Sequence, residues 1–178
     1  MERAPALFVA LRVPADVATM LVAQLGPLDP AVLRPSHPAD LHLTLHYLGP
    51  VVPDPVVEAL SGALADRPPV EVVLGPELVE LGNAVAVTAT GADELAAVVR
   101  SAVVDLGLPP RFDTFVGHVT VGRWRPGRRS SELLARTVDA ALVAESVDLL
   151  ASPTEPTGVA EMPGPRYDAV ANWPLGPS

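Results

Sequence analysis

Polar and apolar positions alternate with period two from Asp40 to Gly49, the pattern of a half-buried strand. Residues i, i+2 and i+4 of a strand share a face. The spacing therefore sets His42, Thr44 and His46 on one side and Leu43, Leu45 and Tyr47 on the other. The same arrangement returns 76 positions later, where Gly117 to Arg123 carries His118 and Thr120 through a second apolar alternation. Two copies of one polar pair on two strands predict one composite site.

Elements of both kinds are predicted around these strands. A short apolar strand from Leu7 to Arg12 precedes a helix from Pro14 to Leu25, with proline in its first turn and Gly26-Pro27 as its stop. A short strand over Ala31 to Arg34 and a turn at Ser36 to Asp40 lead into the first motif. Helical spacing covers Val56 to Ala65, and Val70 to Leu74, Glu77 to Leu81 and Ala84 to Thr90 read as strands. A helix over Ala92 to Leu106 has acidic residues at its N-terminal end, where the helix dipole favours them.

Phe112 to Phe115 leads into the second motif strand, Gly117 to Trp124. A loop at Pro126 to Ser130, a helix over Ser131 to Ala141 and a strand over Glu145 to Leu150 follow. A loose Pro-, Thr- and Gly-rich connection over Ser152 to Pro165 leads to a last strand, Tyr167 to Trp173. Strands and helices mix without the strict alternation of a doubly wound sheet, so the expected class is α+β with mainly antiparallel strands. Each motif strand is preceded by a strand and a helix and followed by a helix. That faint repeat is consistent with two similar lobes facing each other across a groove.

With 178 residues, 49% of them hydrophobic, the chain is expected to form one two-lobed domain over 1–178. No apolar run has bilayer length, and the segment Ala4 to Val13 lacks the flanks of a signal peptide, so no membrane partner and a cytoplasmic location are expected. The absence of cysteine excludes disulfides, thiol catalysis and thiolate metal sites. A net charge of -9 argues against coating long nucleic acid, but leaves room for recognising one terminal nucleotide. Arg123, Arg125, Arg128 and Arg129 crowd just after the second motif, as either a solvated loop or a local phosphate-attracting patch. A monomer is expected, since no stretch resembles a dedicated interface.

A histidine with a threonine at i+2 places a hydroxyl beside an imidazole. Two such pairs suit a phosphate ester: one imidazole takes a proton from water, the other gives one to the departing sugar oxygen, and the hydroxyls hold the non-bridging oxygens. Such a scheme needs no metal and no cofactor. A zinc site from His42, His46 and His118 is the competing chemistry, weakened by the lack of a fourth ligand and by the i, i+4 spacing along a strand. The plainest alternative makes both histidines satisfied core or rim residues.

His42-Leu43-Thr44-Leu45 with Tyr47-Leu48-Gly49, and His118-Val119-Thr120-Val121 with Arg123, resemble the paired motifs of the two-histidine phosphoesterases, above all the bacterial RNA 2',3'-cyclic phosphodiesterases (2'-5' RNA ligase family). The likeness spans nearly the whole chain. It implies a bilobal α+β fold, with two mainly antiparallel sheets, helices outside, a pseudo-two-fold and the active site in the groove between lobes. It also implies hydrolysis of a 2',3'-cyclic phosphate to a 2'-phosphate without a metal. His42 would be the proton donor and His118 the proton acceptor, although the residues alone leave that order open; Thr44 and Thr120 would hold the phosphate. Tyr47 and Arg123 would contact the nucleotide, yet simple alternation puts an i+5 side chain on the face opposite the histidine. A bulge or strand twist is needed to bring them round, and a core role for Tyr47 stays open. His46 is expected on the groove wall or facing solvent, and His37 in a turn without a catalytic part. Gly117 stands where the family commonly has proline. The implied partners are RNA 3' ends or small cyclic nucleotides, with a non-catalytic nucleotide-binding module as a further alternative.

Overall fold

The structure, a computed structural model, describes residues 4–110, 114–153 and 166–176. The chain runs through β1 (Ala6–Arg12), α1 (Ala15–Leu25), β2 (Leu33–Pro35), a single 3-10 turn (Pro38–Asp40), β3 (His42–Pro50) and α2 (Pro53–Leu64). Next come β4 (Val70–Leu81), β5 (Ala84–Thr90), α3 (Asp93–Val104), β6 (His118–Trp124) and α4 (Ser131–Leu134). β7 (Ala140–Ala144), β8 (Ser146–Ala151) and β9 (Asp168–Pro174) complete the order. The expected class is the observed one: α+β, with a curled antiparallel sheet.

The helices lie where apolar residues repeat at helical spacing. Val17, Leu21 and Leu25 of α1, Val56, Leu60 and Leu64 of α2, and Leu95, Val99 and Val103 of α3 are all buried. They pack on one face of the sheet, against residues such as Val9, Leu11, Leu43, Val87 and Val119. Among the described residues, the other face carries a small apolar cluster, Phe8, Ala10 and Leu150, with Tyr167 packed against it. One face of the sheet is thus committed to the core, and the other is left for a groove.

Strand order is β7-β4-β5-β6-β3-β1-β8-β9, with β2 on β6. The two expected sheets are recognisable as four-stranded halves, β7-β4-β5-β6 and β3-β1-β8-β9, joined into one path by the single pair Leu43–Val119. The repeat is explicit in the structure. β1-α1-β3 and β5-α3-β6 each place a strand, a helix and a motif strand in the same order, with the two strands antiparallel neighbours.

Two expectations need correction. The segment 70–81 is one strand rather than two, with a register break between Leu74 and Leu78. The helix expected over 131–141 stops at Leu134, and Ala140–Ala144 is a strand paired with Val70–Leu74. Alanine favours helix intrinsically, but the preference is only tenths of a kcal/mol per residue. Here it loses to a sheet edge that buries Ala140, Leu142 and Ala144 in strict alternation. The expected loose connection over 152–165 lies outside the described residues from 154 onward, as do Phe112 and Asp113 of the lead into the second motif.

Candidate active site

Leu43 and Val119 are direct partners on β3 and β6, and both are buried in the core. The antiparallel register about that pair sets Thr44 beside His118 and His42 beside Thr120 on the opposite face. All four side chains are half-buried and line one groove of about 850 Å³. The composite site expected from the two motifs is therefore assembled by adjacent strands, each histidine flanked by the other motif's threonine.

Both imidazoles are held in the same way. His42 Nδ1 lies 2.6 Å from the carbonyl oxygen of Asp40, and His118 Nδ1 lies 2.8 Å from that of Val116. A carbonyl oxygen only accepts, so Nδ1 carries the hydrogen in each ring and Nε2 is left as the atom that gains or loses a proton. The bond also fixes ring orientation. Such a pair has its reactive nitrogens preset before any ligand arrives.

His42 is further walled by aromatic rings. Phe8 lies 5.0 Å from it, centroid to centroid, and Tyr167 meets it edge-on at 5.1 Å with an interplanar angle of 84°. Burial lowers the pKa of His42 below its ordinary value of 6.5, opposed by the bond to the Asp40 carbonyl and the Asp40 carboxylate, and assisted by His118 and Arg12. Tyr167 is held in place from across the chain. The Asp40 side chain, only 8% exposed, accepts the backbone N–H of Arg166 through both oxygens, at 2.9 Å each. Burial also raises the pKa of the Tyr167 phenol, with the Asp40 charge adding to the effect.

Tyr47 and Arg123 both line the groove, against simple alternation. The reason is a matched pair of bulges. Val9 faces His46 and Ala10 faces Thr44, which leaves Leu45 unmatched; Val85 faces Gly122 and Ala86 faces Thr120, which leaves Val121 unmatched. One extra residue just past each threonine reverses the alternation, so the i+5 residue returns to the histidine's face. Tyr47, 41% exposed, is thus no core residue.

The same bulge turns His46 inward: of its two expected places, the groove wall holds and the solvent-facing one does not. His46 is only 4% exposed, opposite core residue Val9, with Nε2 3.3 Å from the Leu108 carbonyl. Its burial lowers its pKa from 6.5, against that bond and with help from Arg100. The competing zinc set of His42, His46 and His118 gains no support, since no cluster of three or more His, Asp or Glu able to hold a metal occurs among the described residues. His37, as expected, sits in a turn, its Nδ1 accepting the Ala39 N–H.

The arginine patch divides. Arg123 and Arg125 line the groove, but Arg129 turns away into a two-pronged pair with Glu80, which also accepts the Trp124 indole N–H. Arg34, Arg100 and Arg166 join the groove from elsewhere in the chain. Of the 12 basic residues in a chain of net charge -9, five line this groove, against one carboxylate, Asp40. The contrast between motif-proximal and remote arginines was invisible in the sequence, because β2, α3 and the residues just before β9 reach the site only through the fold.

No family model and no curated protein matches the sequence. Solved structures do match. A phosphoesterase aligns at TM-score 0.77 with 20% identity, over 98% of this chain and 99% of its own. LigT of E. coli, complexed with 3'-AMP, aligns at 0.75 with 20% identity over 96% and 98%. The fold is that of LigT. A protein of Thermus thermophilus aligns at 0.73 with 22% identity over 96% and 97%. LigT has also been seen complexed with phosphate, ATP and NADP+. The LigT fold here presents, on its groove face, two oriented histidines, two threonines and a surplus of positive charge.

Among the described residues, no helix is long and apolar enough to cross a membrane.

Proposed function

We propose that this protein is a phosphodiesterase that opens RNA 2',3'-cyclic phosphate ends to leave 2'-phosphates, by acid–base catalysis between His42 and His118. The observation that carries the reading is the register about Leu43–Val119. It brings two imidazoles with preset Nε2 atoms and two threonine hydroxyls to one patch of a cationic groove.

In the forward direction His118 Nε2 takes a proton from water, whose oxygen forms a bond to phosphorus. The bond from phosphorus to the 3'-oxygen breaks, and the His42 imidazolium gives its Nε2 proton to that oxygen. The ring opens, the 2'-ester stays, and the proton count balances. Thr44 and Thr120 donate to the non-bridging oxygens as their charge grows. Burial keeps His42 largely neutral before binding, and the anionic phosphate favours its charged form once seated beside it. No metal or cofactor has a part in this scheme. Complexes of LigT with 3'-AMP and with phosphate support a nucleotide phosphate as the ligand class.

The test is the mass of the product formed from a short RNA with a 2',3'-cyclic end, with and without EDTA. A gain of one water and a 2'-phosphate, unaffected by EDTA, is expected. A 3'-phosphate, loss of turnover in EDTA, or full turnover by His118→Ala would overturn the proposal.

A further inference from the structure

Arg34 on β2 and Arg123 on β6 are direct cross-strand partners, and both line the groove. Side chains so paired have Cβ atoms about 5 Å apart, and like charges placed directly opposite are destabilising. An opposing carboxylate would relieve the repulsion. Among the described residues no ion pair involves either guanidinium; the bond recorded for Arg123 goes to the neutral Asn83 side chain, at 3.0 Å. Glu80, which accepts the indole N–H of Trp124 next to Arg123 in the chain, is committed to Arg129. Among the described residues no acidic side chain forms an ion pair with either arginine.

The pair has a defined place relative to the reacting centre. His118, Thr120 and, through the bulge at Val121, Arg123 form one row on the groove face of β6. Two matched positions separate Thr120 from Arg123 once the bulge is discounted, a run of roughly 7 Å at about 3.3 Å per residue. β2 is fixed there closely: a Cβ on Gly122 would come within 2.7 Å of the Leu33 side chain and 2.9 Å of the Arg34 carbonyl. Glycine at 122 thus lets β2 dock against β6, and the docking sets Arg34 opposite Arg123.

We infer that Arg34 and Arg123 form a second anion subsite, which takes a phosphate one nucleoside unit away from the phosphate held by the histidines and threonines. The inference rests on the proposed phosphodiesterase reading and narrows it. The preferred substrate carries at least two phosphates, one cyclic and reacting, the other bound by the arginine pair. That second phosphate is either the internal diester of an oligonucleotide or the 5'-phosphate of a mononucleotide. Two guanidiniums converging on one phosphate supply charge-assisted bonds that replace their mutual repulsion.

Two measurements test it. In the first, kcat/KM is compared for a nucleoside 2',3'-cyclic phosphate, its 5'-phosphorylated form, and a dinucleotide with the same cyclic end. The two-phosphate substrates are expected to exceed the one-phosphate substrate by about tenfold or more, a preference that Arg34→Gln reduces towards unity. Which of the two gains more identifies the source of the second phosphate. In the second, a nucleoside 2'-monophosphate and the matching 2',5'-bisphosphate are titrated calorimetrically. The bisphosphate is expected to bind about tenfold tighter, with the gain lost in Arg34→Gln and in high salt.

Equal kcat/KM values with equal affinities, or a preference that survives Arg34→Gln, overturn the subsite while leaving the proposed function standing. Tighter bisphosphate binding that depends on Arg34, without turnover of any cyclic phosphate, upholds the subsite and removes the enzyme reading. A folded Arg34→Lys variant that restores part of the preference supports a charge effect over a purely structural one.

Discussion

Leu45 and Val121 are equivalent: each is an unmatched residue one position past the motif threonine of its strand. Without these two residues the groove face would lose Tyr47 and Arg123 together, since a one-residue slip sends a side chain through the sheet. The structure thus uses the same device twice to extend a three-residue motif into a longer row of groove-facing groups.

Tyr47→Ala is therefore expected to act on binding more than on folding. A side chain 41% exposed at the groove should cost less on removal than a core aromatic, under about 2 kcal/mol. KM for the cyclic-phosphate substrate should rise several-fold, with kcat less affected. A loss of stability near 3 kcal/mol, as for a core aromatic, would show that the ring is structural.

In the proposed reaction either histidine alone leaves half an acid–base pair. His42→Asn and His118→Asn are each expected to lower kcat by about 10²–10⁴-fold. The double variant should fall little further than the poorer single, because the two rings serve one proton relay. Rate constants at saturating substrate check this; multiplicative losses would mean that the two rings act independently.

Much of this site was legible in the sequence because the motif residues obey local rules. The alternation around His42 and His118 needs only strand geometry, and the repeated His-x-Thr pairs could be matched without knowing their neighbours. Other parts depend on pairings no local pattern records. The bulges are defined only against β1 and β5. Arg34 gains its position from the docking of β2 on β6, and Asp40 bonds a residue 126 positions away. Ala140 and Ala141 read as the end of a helix because alanine carries no sign of the sheet edge they help complete.

Both His42 and His46 have folded-state pKa values below 6.5, in each case chiefly through burial. Above pH 6.5 they are neutral whether the chain is folded or not. As pH falls through 6.5, the unfolded chain binds protons that the folded chain refuses until its own lower values are reached. Stability must then decline with falling pH across that window. Urea midpoints are expected to drop steadily from pH 7 towards 5, and less so in His46→Gln. A flat profile over that range would contradict the buried, neutral placement of these rings.

Tyr167 keeps water from His42, and Asp40 keeps Tyr167 in place. Tyr167→Ala should therefore raise the pKa of His42 towards 6.5 in an NMR titration, since burial is the largest cause of its depression. Asp40→Asn is expected to cost about 1–3 kcal/mol, because a buried two-oxygen acceptor is replaced by a group with a single acceptor oxygen. An unchanged His42 titration in Tyr167→Ala would show that the ring's burial has another source.

Gly117, just before the second motif, meets β5 backbone to backbone. A Cβ built there lies 2.4 Å from the Ala89 carbonyl oxygen and 3.3 Å from its carbon, and the Ala89 N–H bonds the Gly117 carbonyl at 3.0 Å. Backbone meets backbone, so no flexible side chain can yield. Proline, common at this place in the resembled family, brings the same Cβ and would have to push β6 away from β5. Gly117→Ala is expected to cost about 1–3 kcal/mol. It should also lower kcat, because His118 follows directly in the chain and its ring is tied to the Val116 carbonyl just before. An imidazole displaced by about 1 Å can lose on the order of 100-fold in rate. Gly62→Ala, in α2 with nothing within 4 Å of the added carbon, is the matched control and should stabilise slightly. If Gly117→Ala melts and turns over like the parent protein, the close approach of β5 and β6 does not position His118.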